Sequence, residues 1–276
     1  MQRILPLALA AAACGGVELV NQEKPSNVGG PQVVQHAHAH ENERLAELPD
    51  NDSAVEPDHP MVGTREERAL VHVHTPEAVC SGVVIGPRLV ATAHQCVKKA
   101  RNAVVVPADQ EVRVELASST LTWTQRKVAI VVAPNCSWKH LDVAVLVLAE
   151  PAEWVEPPKV AMAPGIGGSI SALGFGKCAG EPIRAKGRPG SVVAIESEAI
   201  TIDVPLCKGD VGGPIVDGNG GALVGLISHR DDPEGSPRRT TTAFRLDTTH
   251  ARSLLQIATD VAKGLDPAKV GPIGCD

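Results

Sequence analysis

Two groups of histidines have the alternate spacing that metal ligands take on an extended chain. The first is His36-Ala37-His38-Ala39-His40, which offers three imidazoles to a divalent ion. The second is His72 with His74, which share one face if this segment forms a strand. The first run contains no cysteine or carboxylate to complete a ligand shell, and an exposed polar strand face explains the second. The sequence therefore predicts no metal and no other cofactor.

The first residues of the chain predict export. Met1-Gln2-Arg3 carries one positive charge and is followed by an apolar run over residues 4–13, which is too short to cross a bilayer as a helix. Residues 1–13 are therefore interpreted as a signal peptide. The small residues directly before Cys14 resemble the lipobox of bacterial lipoproteins. That resemblance implies a lipid on Cys14, which attaches the chain to a membrane of the bacterial cell envelope. Ordinary cleavage after the alanines would instead leave the protein periplasmic or extracellular.

Charge and composition exclude other classes of protein. Twenty-six Lys and Arg against 32 Asp and Glu give a net charge of −6, so we expect no nucleic-acid partner. Residues 14–60 are polar, lack aromatic side chains and show no periodicity, which predicts a disordered tether or pro-segment. Residues 61–276 contain the aliphatic runs from which a core can be built.

Short β-branched runs separated by turn residues predict that this domain is all-β. Twelve such runs follow one another without helical periodicity between them, at residues 70–74, 82–85, 89–93, 111–116, 127–132, 142–148, 169–174, 191–196, 200–204, 215–216, 222–228 and 242–246. Asp217-Gly218-Asn219-Gly220-Gly221 predicts a hairpin turn. Only the C-terminal segment has helical periodicity, with one apolar face formed by Ala251, Leu254, Leu255, Ala258, Val261 and Ala262.

Three segments of the domain resemble those that carry the catalytic triad of chymotrypsin/trypsin-like serine proteases. In the family's order they are Leu89-Val90-Ala91-Thr92-Ala93-His94-Gln95-Cys96, Asp142-Val143-Ala144-Val145-Leu146 and Cys207-Lys208-Gly209-Asp210-Val211-Gly212-Gly213-Pro214. The resemblance covers about residues 61–276. It implies two six-stranded antiparallel barrels, over about 61–162 and 163–276, with a C-terminal helix and a cleft between the barrels.

The residues at the triad positions depart from the family. In the family, a serine hydroxyl attacks the substrate carbonyl, a histidine takes its proton and an aspartate orients the histidine. Asp142 stands at the aspartate position and Ser228 at the position of a serine that supports it, but Val211 replaces the nucleophile. The family's histidine directly precedes the second cysteine of a bridged pair. Here Gln95 holds that place, and His94 lies one residue earlier.

The same resemblance assigns roles to further residues. Gly209 and Val211 would supply the backbone N–H groups of an oxyanion hole. Pro205, Leu206, His229 and Arg230 would line the specificity pocket, which then has no carboxylate for a basic substrate side chain.

Asp210 stands where the family has an acid that pairs with a newly cut N-terminus. Met61-Val62-Gly63-Thr64 resembles that N-terminus, but the preceding Asp58-His59-Pro60 offers a trypsin-like activator no Lys or Arg. If the chain stays uncut, Asp210 needs another partner, because an unpaired buried carboxylate is costly.

The resemblance also implies disulfides. Cys80 and Cys96 correspond to the family's bridged pair. The usual partner of Cys207 is absent, which leaves Cys178 for Cys207 and then Cys136 for Cys275, although four cysteines allow three connectivities.

Together these features predict a secreted trypsin-like homologue that is inactive as a peptidase. It would act as a binding or regulatory module, with a peptide or protein ligand in the cleft between the barrels. The alternative is an active serine-type endopeptidase with a rearranged centre that uses His94 and Asp142. A third hypothesis is a periplasmic metal scavenger that uses His36, His38 and His40.

Overall fold

A computed structural model describes residues 64–97, 105–108, 112–117, 122–176, 187–230 (except the Arg230 side chain) and 240–273. Several predicted features lie outside these residues: the signal peptide 1–13, Cys14, the tether with its three histidines, the Met61 segment, Cys178 and Cys275. Within the described part of the chain, no helix is long and apolar enough to cross a bilayer.

The first barrel is closed by six antiparallel strands. They are β1 (Leu70–His74), β2 (Val79–Gly86), β3 (Leu89–Thr92), β5 (Arg113–Ala117), β6 (Trp123–Val132) and β7 (Ala144–Leu148), and a short β4 (Val105–Pro107) pairs with β6 outside the ring. The order is β6-β5-β1-β2-β3-β7, and β7 pairs back with β6. Every residue of the aliphatic strand β7 is buried, and the strand pairs with β3 on one side and with β6 on the other.

The second barrel is also closed by six antiparallel strands. They are β8 (Ser169–Ala172), β9 (Arg188–Ile195), β10 (Ala199–Ile202), β11 (Pro214–Asp217), β12 (Leu223–Arg230) and β13 (Thr241–Arg245), in the order β10-β13-β12-β11-β8-β9. The predicted hairpin turn joins β11 to β12, and Gly221 in that turn has a φ of +66°. Both barrels have largely aliphatic cores, whose largest fully buried side chains are leucines and isoleucines.

Two α-helices flank the strands. The predicted C-terminal helix is α2 (Thr249–Ala262), which is capped by Thr248, is followed by Gly264 and packs against β7 of the first barrel. A short helix α1 (Arg65–Ala69) was not predicted, and Thr64 is its N-cap. The Thr64 side chain accepts from Glu67 N–H, and the Glu67 side chain accepts from Thr64 N–H.

These observations confirm the predicted fold class. Each of the twelve predicted runs overlaps an observed strand, and the predicted C-terminal helix is present. The prediction missed only α1 and the three-residue strand β4 among the described strands and α-helices.

Candidate functional site

A tight loop over residues 207–213 of the second barrel is held against the first barrel. Val211 O accepts a hydrogen bond from Ser81 N–H of β2 at 2.8 Å, and Ser81 Oγ donates to Gly209 O at 2.8 Å. Gly212 has a φ of +83°, and a Cβ there would lie 2.3 Å from Ser81 O, so a larger residue does not fit. These contacts fix the backbone on which Val211 stands.

Gln95 belongs to the 3₁₀ turn His94–Val97, and its side chain lies beside Asp142. Gln95 N–H donates to Asp142 Oδ1 at 2.8 Å, and Gln95 Nε2 donates to Asp142 Oδ2 at 2.6 Å. Ser228 Oγ also donates to Asp142 Oδ2, at 2.5 Å, and Gln95 Nε2 lies 3.1 Å from Ser228 O. The structure thus brings Gln95, Asp142 and Ser228 together in one hydrogen-bonded group.

The Asp142 carboxyl group is fully buried in this network. Burial raises its pKa, and the hydrogen bonds from Ser228 and Gln95 oppose that increase. The carboxylate orients an amide side chain, which neither accepts nor transfers a proton at ordinary pH.

His94, one residue earlier, is buried away from this group. Its exposed fraction is 7%, and its Nδ1 has no hydrogen-bond partner among the described residues. His94 is also not among the described residues that line the cleft. Burial lowers the pKa of His94 to about 4. The neighbouring residues 94 and 95 therefore have different environments, and Gln95 is the one in contact with Asp142.

We expect the buried His94 to make the domain sensitive to acid. Because its folded pKa lies below the ordinary value of 6.5, the stability that it contributes is fully present above pH 6.5 and is lost as the pH falls towards 4. The loss should be roughly 3 kcal/mol of unfolding free energy. Urea unfolding of the wild type and of His94→Gln at pH 7.0, 5.5 and 4.5 measures it. The variant should lose less stability on acidification, and equal losses would contradict this assignment.

Val211 and Gln95 line a cleft of about 340 Å³. The loop that carries Gly209 and Val211 forms one wall, and Val79 and Leu206 add apolar surface. Among the described lining residues, Lys208 carries the only positive charge and Glu77 the only negative one. The cleft combines apolar walls with backbone groups, as sites for extended peptides do.

Asp210 is fully buried behind the cleft and pairs with Arg188 of β9. The distance from Arg188 Nη2 to Asp210 Oδ2 is 2.5 Å. Cys207 N–H donates to the same oxygen at 2.8 Å, and Gly176 N–H donates to Asp210 Oδ1 at 2.8 Å. Arg188 therefore compensates the charge of the buried Asp210 carboxylate. The sequence analysis missed Arg188, because nothing local to either residue indicates the pairing.

The predicted pocket residues divide between two places. Leu206 lines both the cleft and a crevice that has no room for a water molecule, and Pro205 lies with Arg188 at that crevice. His229 Nδ1 lies 3.0 Å from Ser228 Oγ, and its ring packs edge-on against Trp138. The Arg230 side chain is outside the described residues.

The predicted disulfide between Cys80 and Cys96 is present, which confirms that pairing. It joins β2 to the turn that carries Gln95. Cys136 and Cys207 are also disulfide-bonded, and the other cysteine of each bond lies outside the described residues. Their pairing with Cys275 and Cys178 stays a prediction.

Comparison with known proteins identifies the family. The trypsin-like peptidase domain family matches residues 80–226, just over half of the chain. The fold is similar to that of neuropsin, a serine protease expressed in the limbic system of mouse brain, with 18% identity and a TM-score of 0.55 over 74% of this chain and 99% of neuropsin. It is also similar to a Glu endopeptidase solved in complex with MPD, with 16% identity and a TM-score of 0.57 over 73% of this chain and 95% of the endopeptidase. No curated protein sequence matches the chain. The two closed barrels and the family match together establish that this chain belongs to the trypsin-like peptidase domain family.

Proposed function

We propose that this chain is an exported trypsin-like domain that binds a peptide or protein segment in its cleft without cleaving it. The observation that carries the proposal is the hydrogen bond from Gln95 Nε2 to Asp142, in a cleft that Gln95 lines together with Val211. The aspartate is occupied by a glutamine amide, and the position of the nucleophile holds an isopropyl group.

Neither replacement supports acyl transfer. An amide is too weak a base to take a proton from a hydroxyl group, and an isopropyl group has no lone pair with which to attack a carbonyl carbon. In this family, loss of one triad member is known to leave only about 10³–10⁴-fold catalysis over water. Enzymes typically reach accelerations of about 10⁶ or more. We therefore infer that the domain is not a working peptidase.

The cleft retains what a binding site needs. Gly209 and Val211 can offer backbone N–H groups to a substrate-like carbonyl or to a C-terminal carboxylate. Lys208 adds a positive charge beside them, and Leu206 and Val79 offer apolar contact. A peptide with a free carboxyl terminus fits this combination.

Export and anchoring are part of the proposal and rest on the sequence. The apolar run at residues 4–13 and the small residues before Cys14 support a lipoprotein of the bacterial cell envelope. A lipid on Cys14 would attach the chain to that membrane.

The experiment that tests the absence of catalysis uses a fluorophosphonate probe, which labels activated serines. The purified chain should show no labelling above a heat-denatured sample, while an active trypsin run in parallel is labelled fully. Stoichiometric, heat-sensitive labelling would overturn the proposal and would favour the alternative centre that uses His94.

A second measurement tests binding in the cleft. The chain is incubated with a random octapeptide library with free carboxyl termini, and retained peptides are identified by mass spectrometry. Val211→Trp should abolish retention, because the indole fills the cleft. The matched control is Met162→Trp, since Met162 is 74% exposed and does not line the cleft. Equal retention by the two variants, or none by the wild type, would contradict peptide binding at this site.

A further inference from the structure

Three potential metal ligands meet on neighbouring strands of the first barrel. His72 and His74 lie on one face of β1, and β1 pairs with β5 in a register that places Glu115 directly opposite His72. The three side chains are partly buried, with exposed fractions of 12%, 26% and 16% for His72, His74 and Glu115. None of them is among the described residues that line the peptide cleft.

The ligand atoms of this cluster have the spacing of a zinc site. All three lie within 4.8 Å of one another. Glu115 Oε2 is 2.9 Å from His74 Nε2 and 3.6 Å from His72 Nδ1. Ligands of a tetrahedral zinc ion, each at about 2.0–2.1 Å from the metal, lie roughly 3.3 Å apart.

His74 Nε2 and Glu115 Oε2 lie close together in an enclosed place. The nitrogen atom is enclosed by protein, and it makes no hydrogen bond among the described residues. Its 2.9 Å approach to Glu115 Oε2 lacks the alignment of a hydrogen bond. An imidazole nitrogen and a carboxylate oxygen that lie this close together in an enclosed place can share a cation between them.

Neighbouring side chains hold the cluster in place. Gln125 Nε2 donates to Glu115 Oε1 at 2.7 Å, which leaves Oε2 directed at the histidines. The His72 ring lies 3.7 Å from the Phe175 ring and is stacked on Trp123 at 5.2 Å, measured between centroids. Hydrogen bonds to ligating carboxylates and an apolar surrounding are typical of metal sites.

We propose that His72, His74 and Glu115 form a zinc-binding site on the first barrel. Two imidazoles and one carboxylate favour zinc over calcium or magnesium, which prefer oxygen ligands. Three protein ligands leave the fourth tetrahedral position to water or to an incoming ligand atom. The proposal does not depend on the proposed function of the cleft.

The experiment uses the full mature chain in a background where His36, His38 and His40 are each replaced by asparagine. This background removes the other histidine run that could bind zinc. Isothermal titration with zinc chloride should give one site per chain, and zinc should raise the melting temperature, because the three ligands are brought together only in the folded state. Glu115→Gln should weaken zinc binding by about 100-fold or more, and Gln125→Ala by roughly 10-fold.

The matched control is His250→Gln, because His250 pairs with Glu198 but is not part of the three-ligand group. This variant should bind zinc as the background does. If Glu115→Gln does not fold, as judged by circular dichroism, His74→Gln takes its place. The proposal fails if the background binds no zinc, or if the folded ligand variant binds zinc as tightly as the background.

Discussion

The double variant Val211→Ser with Gln95→His should regain reactivity towards fluorophosphonates. Gln95 N–H and Nε2 already contact both oxygens of Asp142, so an imidazole at position 95 can donate its Nδ1–H to the same carboxylate. Its Nε2 would then accept the proton of a serine at position 211. A general base of this kind contributes about 10²–10⁴-fold. We expect the double variant to be labelled roughly 10³-fold faster than Val211→Ser alone, measured by mass spectrometry over time.

Adding Asp142→Asn to the double variant is the control, since it should remove most of the gain. The family's known cost of that change is about 10⁴-fold in kcat. If Val211→Ser alone reacted as fast as the double variant, His94 would be acting as the base, and the rearranged centre would be the correct interpretation.

Arg188→Met should cause a large loss of stability. The Asp210 carboxylate is fully buried, and Arg188 is the cation that compensates it at 2.5 Å. Removing one partner of a buried ion pair costs about 3–5 kcal/mol, because the other charge is left uncompensated. Urea unfolding at pH 7 with the disulfides intact measures this loss.

A double-mutant cycle with Asp210→Asn separates the ion pair from side-chain packing. The combined variant should lose about 2 kcal/mol less unfolding free energy than the two single losses added together. Arg126→Met is the control for an arginine whose ion-pair partner is exposed. Glu150 is 74% exposed and lies 3.8 Å from Arg126, so losing this pair should cost about 1 kcal/mol or less. Additive losses in the cycle would show that Arg188 does not stabilise the Asp210 charge.

The strands and the family were predictable from the sequence because their signals are local. Each β-branched run bounded by turn residues became a strand, and the Cys80–Cys96 disulfide that the family resemblance implied is present. The sequence also showed that Gln95, and not His94, occupies the position directly before Cys96, where the family has its histidine. In the structure, Gln95 contacts Asp142 and His94 is buried elsewhere.

The features that the sequence analysis missed depend on non-local pairing. Glu115 meets His72 only because β1 and β5 pair, and the chain passes through β2, β3 and β4 between them. Arg188 likewise reaches Asp210 from a different strand of the second barrel. Helix α1 did have a local signal in Thr64 and Glu67, which have the spacing of a capping box. It was missed because five residues are too few to show helical periodicity.

The pairing of Arg188 with Asp210 bears on when the cleft becomes able to bind a ligand. The family resemblance implies, at the position of Asp210, an acid that pairs with a newly cut N-terminus. Here the compensating cation is encoded within the same barrel, so we expect the cleft to take its shape as soon as the chain has folded and oxidised. Ligand binding would then be regulated by synthesis of the chain, by its delivery and by competing ligands, rather than by an irreversible proteolytic cut.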